Sequence, residues 1–339
     1  MAIRRIAVEE AFVTADVIEG WKSALARRDV EPGFAKMGAN TLAPTPGNEW
    51  VHDRLLDIGA GRIAHMDKVG VDLQILSLTS PGVQVLDDAA LATRLAAEAN
   101  DVLAAAVKAH PTRFAGLAAI APQDPLAAAR EIERAAGPLG LNGLIVNSHT
   151  NGEYLDLPKY RPIFEAAEAA GMPIYLHPRE PAPSLVTPFL DYGLYFAIYG
   201  FAVETALHAM RLIMSGTFDR FPKLKIVLGH MGEGLPFWLQ RIDNRYLLQV
   251  KVQATEKLPR LPSEYFLDNF LITTAGVTSM PALRLSLDVL GSERILFAAD
   301  YPYEDDAAAV RFLDTAKVTE EERKQIYETN AVRVFKLKP

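Results

Sequence analysis

The feature that most limits what this chain can fold into is a regular alternation. Short β-branched or apolar runs recur along it, separated by Ala-, Leu- and Glu-rich stretches with helical spacing such as Asp87–Ala109 and Pro125–Ala136. The runs are Ile3–Val8, Leu73–Leu78, Phe114–Ile120, Gly143–Val146, Pro173–Leu176, Lys225–Leu228, Phe270–Thr273 and Arg294–Ala298. Strand followed by helix, repeated, builds a parallel sheet, and eight such units predict an α/β fold closed into a (β/α)8 TIM barrel. An open doubly wound sheet usually carries a Gly-rich phosphate turn after its first strand, where this chain has Glu9-Glu10-Ala11-Phe12. The barrel is distorted by a long insertion at residues 13–50, expected near the active face, and a second, aromatic-rich one at Arg179–Tyr199. Residues 1–339 are read as one domain.

Barrel enzymes place their chemistry where the strands end at the C-terminal rim. On this reading strand 1 ends in Glu9, strand 2 in Ser77 and Thr79, strand 4 in Asn147, strand 5 in His177, strand 6 in His230, strand 7 in Thr274 and strand 8 in Asp300. The chain has no cysteine, which excludes disulfides, thiolate metal sites and a thiol nucleophile, so any metal falls to His, Asp or Glu. Glu9, His177 and Asp300 sit at strand ends that a closed barrel brings together, and side-chain alternation points Glu10 away from them. A lone His at a strand end is more often a packing residue than a ligand, and the alternative for the three groups together is a buried ion pair. Two carboxylates and an imidazole also suit one Mn²⁺, Zn²⁺ or Mg²⁺ ion with positions left open. His230 and Glu233, three residues apart, form a carboxylate–histidine pair or, alternatively, a helix cap. His52, His65, His110 and His208 read as structural, and His149 as a residue of the pocket mouth.

Several stretches together resemble the amidohydrolase superfamily, specifically its metal-dependent aromatic acid decarboxylase branch. They are Val8-Glu9-Glu10-Ala11-Phe12, Leu176-His177-Pro178-Arg179, Leu228-Gly229-His230-Met231-Gly232-Glu233 and Ala299-Asp300-Tyr301-Pro302-Tyr303-Glu304. Ser80-Pro81-Gly82-Val83-Gln84, Ala121-Pro122-Gln123-Asp124-Pro125 and Thr329-Asn330-Ala331 extend the likeness nearly end to end. Hydrolases of the superfamily typically open with His-x-His on strand 1, where this chain has Glu9 and Ala11, so the departure favours decarboxylation over a binuclear hydrolytic centre. The resemblance implies one divalent metal ion on Glu9, His177 and Asp300, with Asp300 also the general acid that protonates the ring carbon, assisted by His230 and Glu233. It implies an ortho-hydroxybenzoate substrate, either a dihydroxybenzoate or a 5-carboxyvanillate-like acid, and a reaction that is possibly reversible. It matches Arg241 to an arginine that contacts substrate, within or across subunits. Thr79 and Asn147 are further candidates to hold substrate oxygens, and Phe12, Tyr301 and Tyr303 to wall the ring. Arg179 either binds a carboxylate or fixes its loop. The loop Pro46-Gly47-Asn48-Glu49-Trp50 lacks the arginine expected there for a second anionic group.

Two other readings stand beside this one: a metal-dependent hydrolase of a lactone or amide, and a binding protein without catalysis. The charge balance, 35 Lys and Arg against 42 Asp and Glu for a net −7, argues against nucleic acid as a partner. With no secretory pattern and no long apolar run, a cytoplasmic location with no membrane partner is expected. The apolar Leu194–Met210 stretch and the resemblance together imply a homodimer or homotetramer.

Overall fold

The computed structural model describes residues 3–338. Eight parallel strands stand in chain order: β1 (Ile6–Phe12), β2 (Leu73–Leu78), β3 (Phe114–Ala119), β4 (Gly143–Asn147), β5 (Ile174–His177), β6 (Ile226–Leu228), β7 (Phe270–Thr273) and β8 (Ile295–Leu296). Backbone bonds from Val8 N to Phe297 O (3.1 Å) and from Ala11 N to Tyr301 O (2.8 Å) join the last strand to the first. The result is the expected (β/α)8 barrel. Strands such as β2 and β3 are buried along their whole length, because helices cover one face and the barrel interior the other. The helices start where the sequence signals them: Asp88 and Asp124 accept backbone N–H bonds ahead of Ala89–Ala109 and Pro125–Ala136.

Three expectations need correction. β1 does not stop before the acids: it runs on to Phe12, so Glu9 and Glu10 lie inside the strand, 2% and 0% exposed. Two adjacent carboxylates look like a strand end, but here each carboxylate has hydrogen-bond donors inside the fold. Pairing with β2 shifts between Ala7 and Glu10, the mark of a β-bulge. β8 is shorter than the run Arg294–Ala298, because Phe297 N donates to Ile326 O and Ala298 N to the Thr274 hydroxyl. That bond also turns Thr274 aside, and Thr273 is the β7 threonine that faces the barrel centre.

The 13–50 insertion folds as three helices, α1 (Ala15–Leu25), α2 (Pro32–Thr41) and α3 (Pro46–Leu56). It is tied down by the Trp21 indole, which donates to Gly82 O at 2.7 Å, and by Arg179, whose guanidinium donates to Glu31 at 2.5 Å. Arg179 is fully buried, also bonds Glu180 and His149 O, and so takes the loop-fixing role rather than a substrate-binding one. Breaking a buried charge group strands the partners it leaves. Arg179→Met should therefore destabilise the fold by about 3–5 kcal/mol in urea unfolding; a loss below about 1 kcal/mol, the scale of an exposed pair, would show that the group contributes little.

Candidate active site and metal centre

The site is assembled from side chains at the strand ends. Glu9 points inward from β1, where its Oε2 accepts hydrogen bonds from the Tyr175 hydroxyl and, at 3.0 Å, from Thr273 Oγ1. Its Oε1 is buried and has no hydrogen-bond partner among the described residues. Gly229 leaves the room this carboxylate needs: a Cβ there would stand 3.0 Å from it. Burial pushes the Glu9 carboxyl up to about 8, with the neighbouring Asp300 adding to the rise and His230 opposing it.

His177 closes β5. Its Nδ1 lies 2.8 Å from Pro178 O, and since a carbonyl only accepts, Nδ1 carries the proton and Nε2 presents a lone pair. That lone pair stands 3.4 Å from Glu9 Oε1. Burial lowers the imidazole to about 4, so it is neutral in ordinary buffer. Asp300 follows β8 in a left-handed conformation (φ 58°). Ligand atoms of Glu9, His177 and Asp300 all lie within 4.8 Å of one another. Three acceptors aimed at one point repel unless a cation lies among them, and the orphaned Oε1 is what such an ion would satisfy. The donor set therefore fits a divalent cation. Glu31, His149 and Glu180 also converge, but there the Arg179 guanidinium already supplies the positive charge.

His230 and Glu233 meet through an unusual piece of backbone. His230, Met231, Gly232, Glu233 and Gly234 have φ of 51°, 54°, 73°, 54° and 76°, a left-handed turn of five residues. Left-handed geometry costs roughly 1–2 kcal/mol per non-glycine residue, so the surrounding fold must hold it. In it the His230 Nδ1 lies 2.8 Å from Glu233 Oε1, while Nε2 faces Glu9 Oε1 (3.8 Å) and Asp300 Oδ2 (3.9 Å). Burial alone would lower this imidazole, yet Glu233 and Glu9 hold it well above the usual histidine range. The pair His230–Glu233 thus stands beside Asp300.

A cavity of about 460 Å³ opens over these groups. His177, His230, Glu233, Asp300, Thr79 and Tyr303 line it, with apolar walls from Met37, Phe196, Phe201 and Val277. Met37 comes from α2 and Phe196 from the aromatic-rich insertion. Thr79 Oγ1 and the Tyr303 hydroxyl are 2.6 Å apart, and burial pushes the Tyr303 phenol up. Phe12 and Asn147 do not reach the cavity: Phe12 packs in the core and Asn147 lies against Gly82, both almost fully buried. Tyr301 is likewise buried, beneath Arg62, and His149 bonds Glu180 O at 3.2 Å instead of reaching the mouth. Arg241 is exposed on helix Leu235–Lys251, outside the cavity of its own chain.

Sequence reasoning set Glu10 aside as pointing away, and it does, but with a purpose. Its carboxylate accepts from Ala299 N (2.9 Å) and Tyr301 N (3.3 Å), the two amides flanking Asp300. A second acid inside an otherwise apolar strand was the available signal.

The amidohydrolase family profile matches residues 48–337. The gamma-resorcylate decarboxylase of Polaromonas sp. is 41% identical over 303 residues, covering 86% of this chain and 92% of that protein. The crystal structure of 5-carboxyvanillate decarboxylase from Sphingomonas paucimobilis superposes with a TM-score of 0.96 at 47% identity, over 99% of this chain and 100% of that one. The 5-carboxyvanillate decarboxylase of Novosphingobium aromaticivorans, complexed with manganese and 4-hydroxy-3-methoxy-5-nitrobenzoic acid, superposes with a TM-score of 0.96 at 41% identity, over 99% of this chain and 97% of that one.

The left-handed turn generates a direct test. A Cβ at Gly232 would lie 2.7 Å from Ile272 Cγ2, in a backbone that already disfavours side chains. Gly232→Ala should cost about 2–4 kcal/mol in chemical denaturation; a stability within about 0.5 kcal/mol of the parent would mean the turn relaxes freely.

Proposed function

Since the chain belongs to the amidohydrolase family, we propose that it is a metal-dependent, non-oxidative decarboxylase of an ortho-hydroxybenzoate-type aromatic acid, releasing carbon dioxide and a phenol. The observation that carries the proposal is the convergence of the unpartnered Glu9 Oε1, the neutral His177 Nε2 and Asp300 on one point beneath an aromatic-lined cavity. The decarboxylase relatives support the same reading against a lactone or amide hydrolase and against a non-catalytic binder.

A divalent cation held by Glu9, His177 and Asp300 supplies positive charge that orients the phenolic and carboxylate oxygens of the substrate; manganese, present in a solved relative, is the first choice. The residues do the rest. Met37, Phe196, Phe201 and Val277 hold the ring and exclude water from it. Thr79 and Tyr303 offer hydroxyls to substrate oxygens. Loss of carbon dioxide from the ring consumes one proton, and Asp300 delivers it to the carboxyl-bearing carbon. The carbon–carbon bond then breaks, its electron pair restores the aromatic ring, and carbon dioxide leaves. His230, paired with Glu233, keeps a proton beside Asp300 for the next turnover.

Finer readings belong to the same proposal. Arg241 shares its helix with the exposed Phe237, Trp238 and Leu248, and Tyr192, Ile198 and Tyr199 add further exposed apolar surface. A homodimer or homotetramer covering this surface brings the partner's Arg241 toward a neighbouring cavity, and light scattering counts the subunits. No helix among the described residues is long and apolar enough to cross a membrane, and the cysteine-free composition suits a reducing cytoplasm.

Asp300→Asn should keep the fold while carbon dioxide release falls about 10²–10⁴-fold or more, and Glu9→Gln should lose most of the bound metal as read by elemental analysis. An Asp300→Asn protein that turns over at the parental rate would overturn the assignment.

A further inference from the structure

The cavity wall carries a charge that this chemistry leaves unused. Glu304 lines it four residues after Asp300, beside Gly276 and His230: a Cβ at Gly276 would lie 3.7 Å from Glu304 Oε1 and 3.3 Å from His230 Cδ2. Among the described residues no lysine or arginine lines the cavity. The fully buried guanidiniums nearby are engaged elsewhere, Arg179 with Glu31 and Glu180, Arg62 with the carbonyls of Ala11 and Arg54.

Charge counting then constrains the substrate. A divalent cation held by Glu9, His177 and Asp300 would answer the reacting carboxylate and the phenolic oxygen of the ligand. In the proposed oligomer the partner's Arg241 answers that reacting carboxylate. The imidazole of His230, the one basic group in the wall, is already faced by Glu233, Glu9 and Asp300; a second carboxylate on the ring meets Glu304, whereas a hydroxyl or amine there can donate a charge-assisted hydrogen bond to it.

Resting on the decarboxylase reading, we propose that Glu304 sets the substrate class. It selects ortho-hydroxybenzoates with a single carboxylate, favouring those whose far edge carries a neutral hydrogen-bond donor, and it rejects ring dicarboxylates.

The test uses two acids that share one ring and differ only in the distal carboxylate: 2-hydroxy-3-methoxybenzoate and 5-carboxyvanillate. Affinities are measured by calorimetry on the manganese-loaded protein, and kcat/KM for carbon dioxide release on the same samples, for the parent, Glu304→Gln and Glu304→Arg. The parent should bind the monoacid about tenfold more tightly, Glu304→Gln should bring the ratio within about threefold, and Glu304→Arg should invert it. A parent that prefers the diacid, or a ratio indifferent to both substitutions, overturns the proposal even if both acids are decarboxylated. Silence toward both acids with the binding preference intact overturns the decarboxylase reading and upholds the selection by Glu304. Failure of both to bind overturns the two together.

Discussion

Glu9 Oε1 lies inside the barrel, out of water and without a donor, 3.4 Å from an imidazole nitrogen that presents only a lone pair. The opposite oxygen of the same carboxylate is held by Tyr175 and Thr273, so the side chain cannot turn away to relieve the conflict. Asp300 adds a further acceptor to the same point. Burying charge this way is unfavourable unless a cation completes the cluster, and every nearby element is arranged around that need. The imidazoles are fixed from their far sides, His177 by Nδ1 donating to the Pro178 carbonyl and His230 by Nδ1 against Glu233.

The scaffold keeps this arrangement by committing backbone to it. Asp300 sits at positive φ between two amides that Glu10 holds, and the five-residue left-handed turn aims His230 inward while giving Glu233 reach to its far nitrogen. Such conformations persist where surrounding packing over-determines them, and they gather at sites that must be pre-organised. Arg179 performs a similar service farther out. Its guanidinium draws Glu31 of the insertion and the carbonyl of His149 together, so that α2 brings Met37 and Thr41 to the cavity wall.

The strand–helix alternation made a parallel α/β sheet legible, and eight units with no Gly-rich phosphate turn after the first pointed to the closed barrel. Glu9, His177, His230 and Asp300 were legible because polar groups at the ends of apolar runs stand out. What escaped was whatever depends on where a side chain turns. Phe12 and Asn147 look like pocket residues by position, yet one packs into the core and the other under Gly82. Thr274 reads as the end of β7 from the sequence, but its hydroxyl accepts from Ala298 N, which no linear pattern reveals. Phe201 and Val277 reach the cavity from loops and helix starts, where no periodicity reports direction. The left-handed turn at His230–Gly234 was invisible for the same reason: only two of its five residues are glycine.

Anomalous diffraction at the manganese edge, on crystals of the protein grown with manganese and an ortho-hydroxybenzoate, tests the central claim most directly. The account predicts one anomalous peak per chain, about 2.0–2.3 Å from Glu9 Oε1, His177 Nε2 and an Asp300 oxygen. A protein that binds the acid and decarboxylates it with no peak at that point, or with the ion held by other residues, would contradict it.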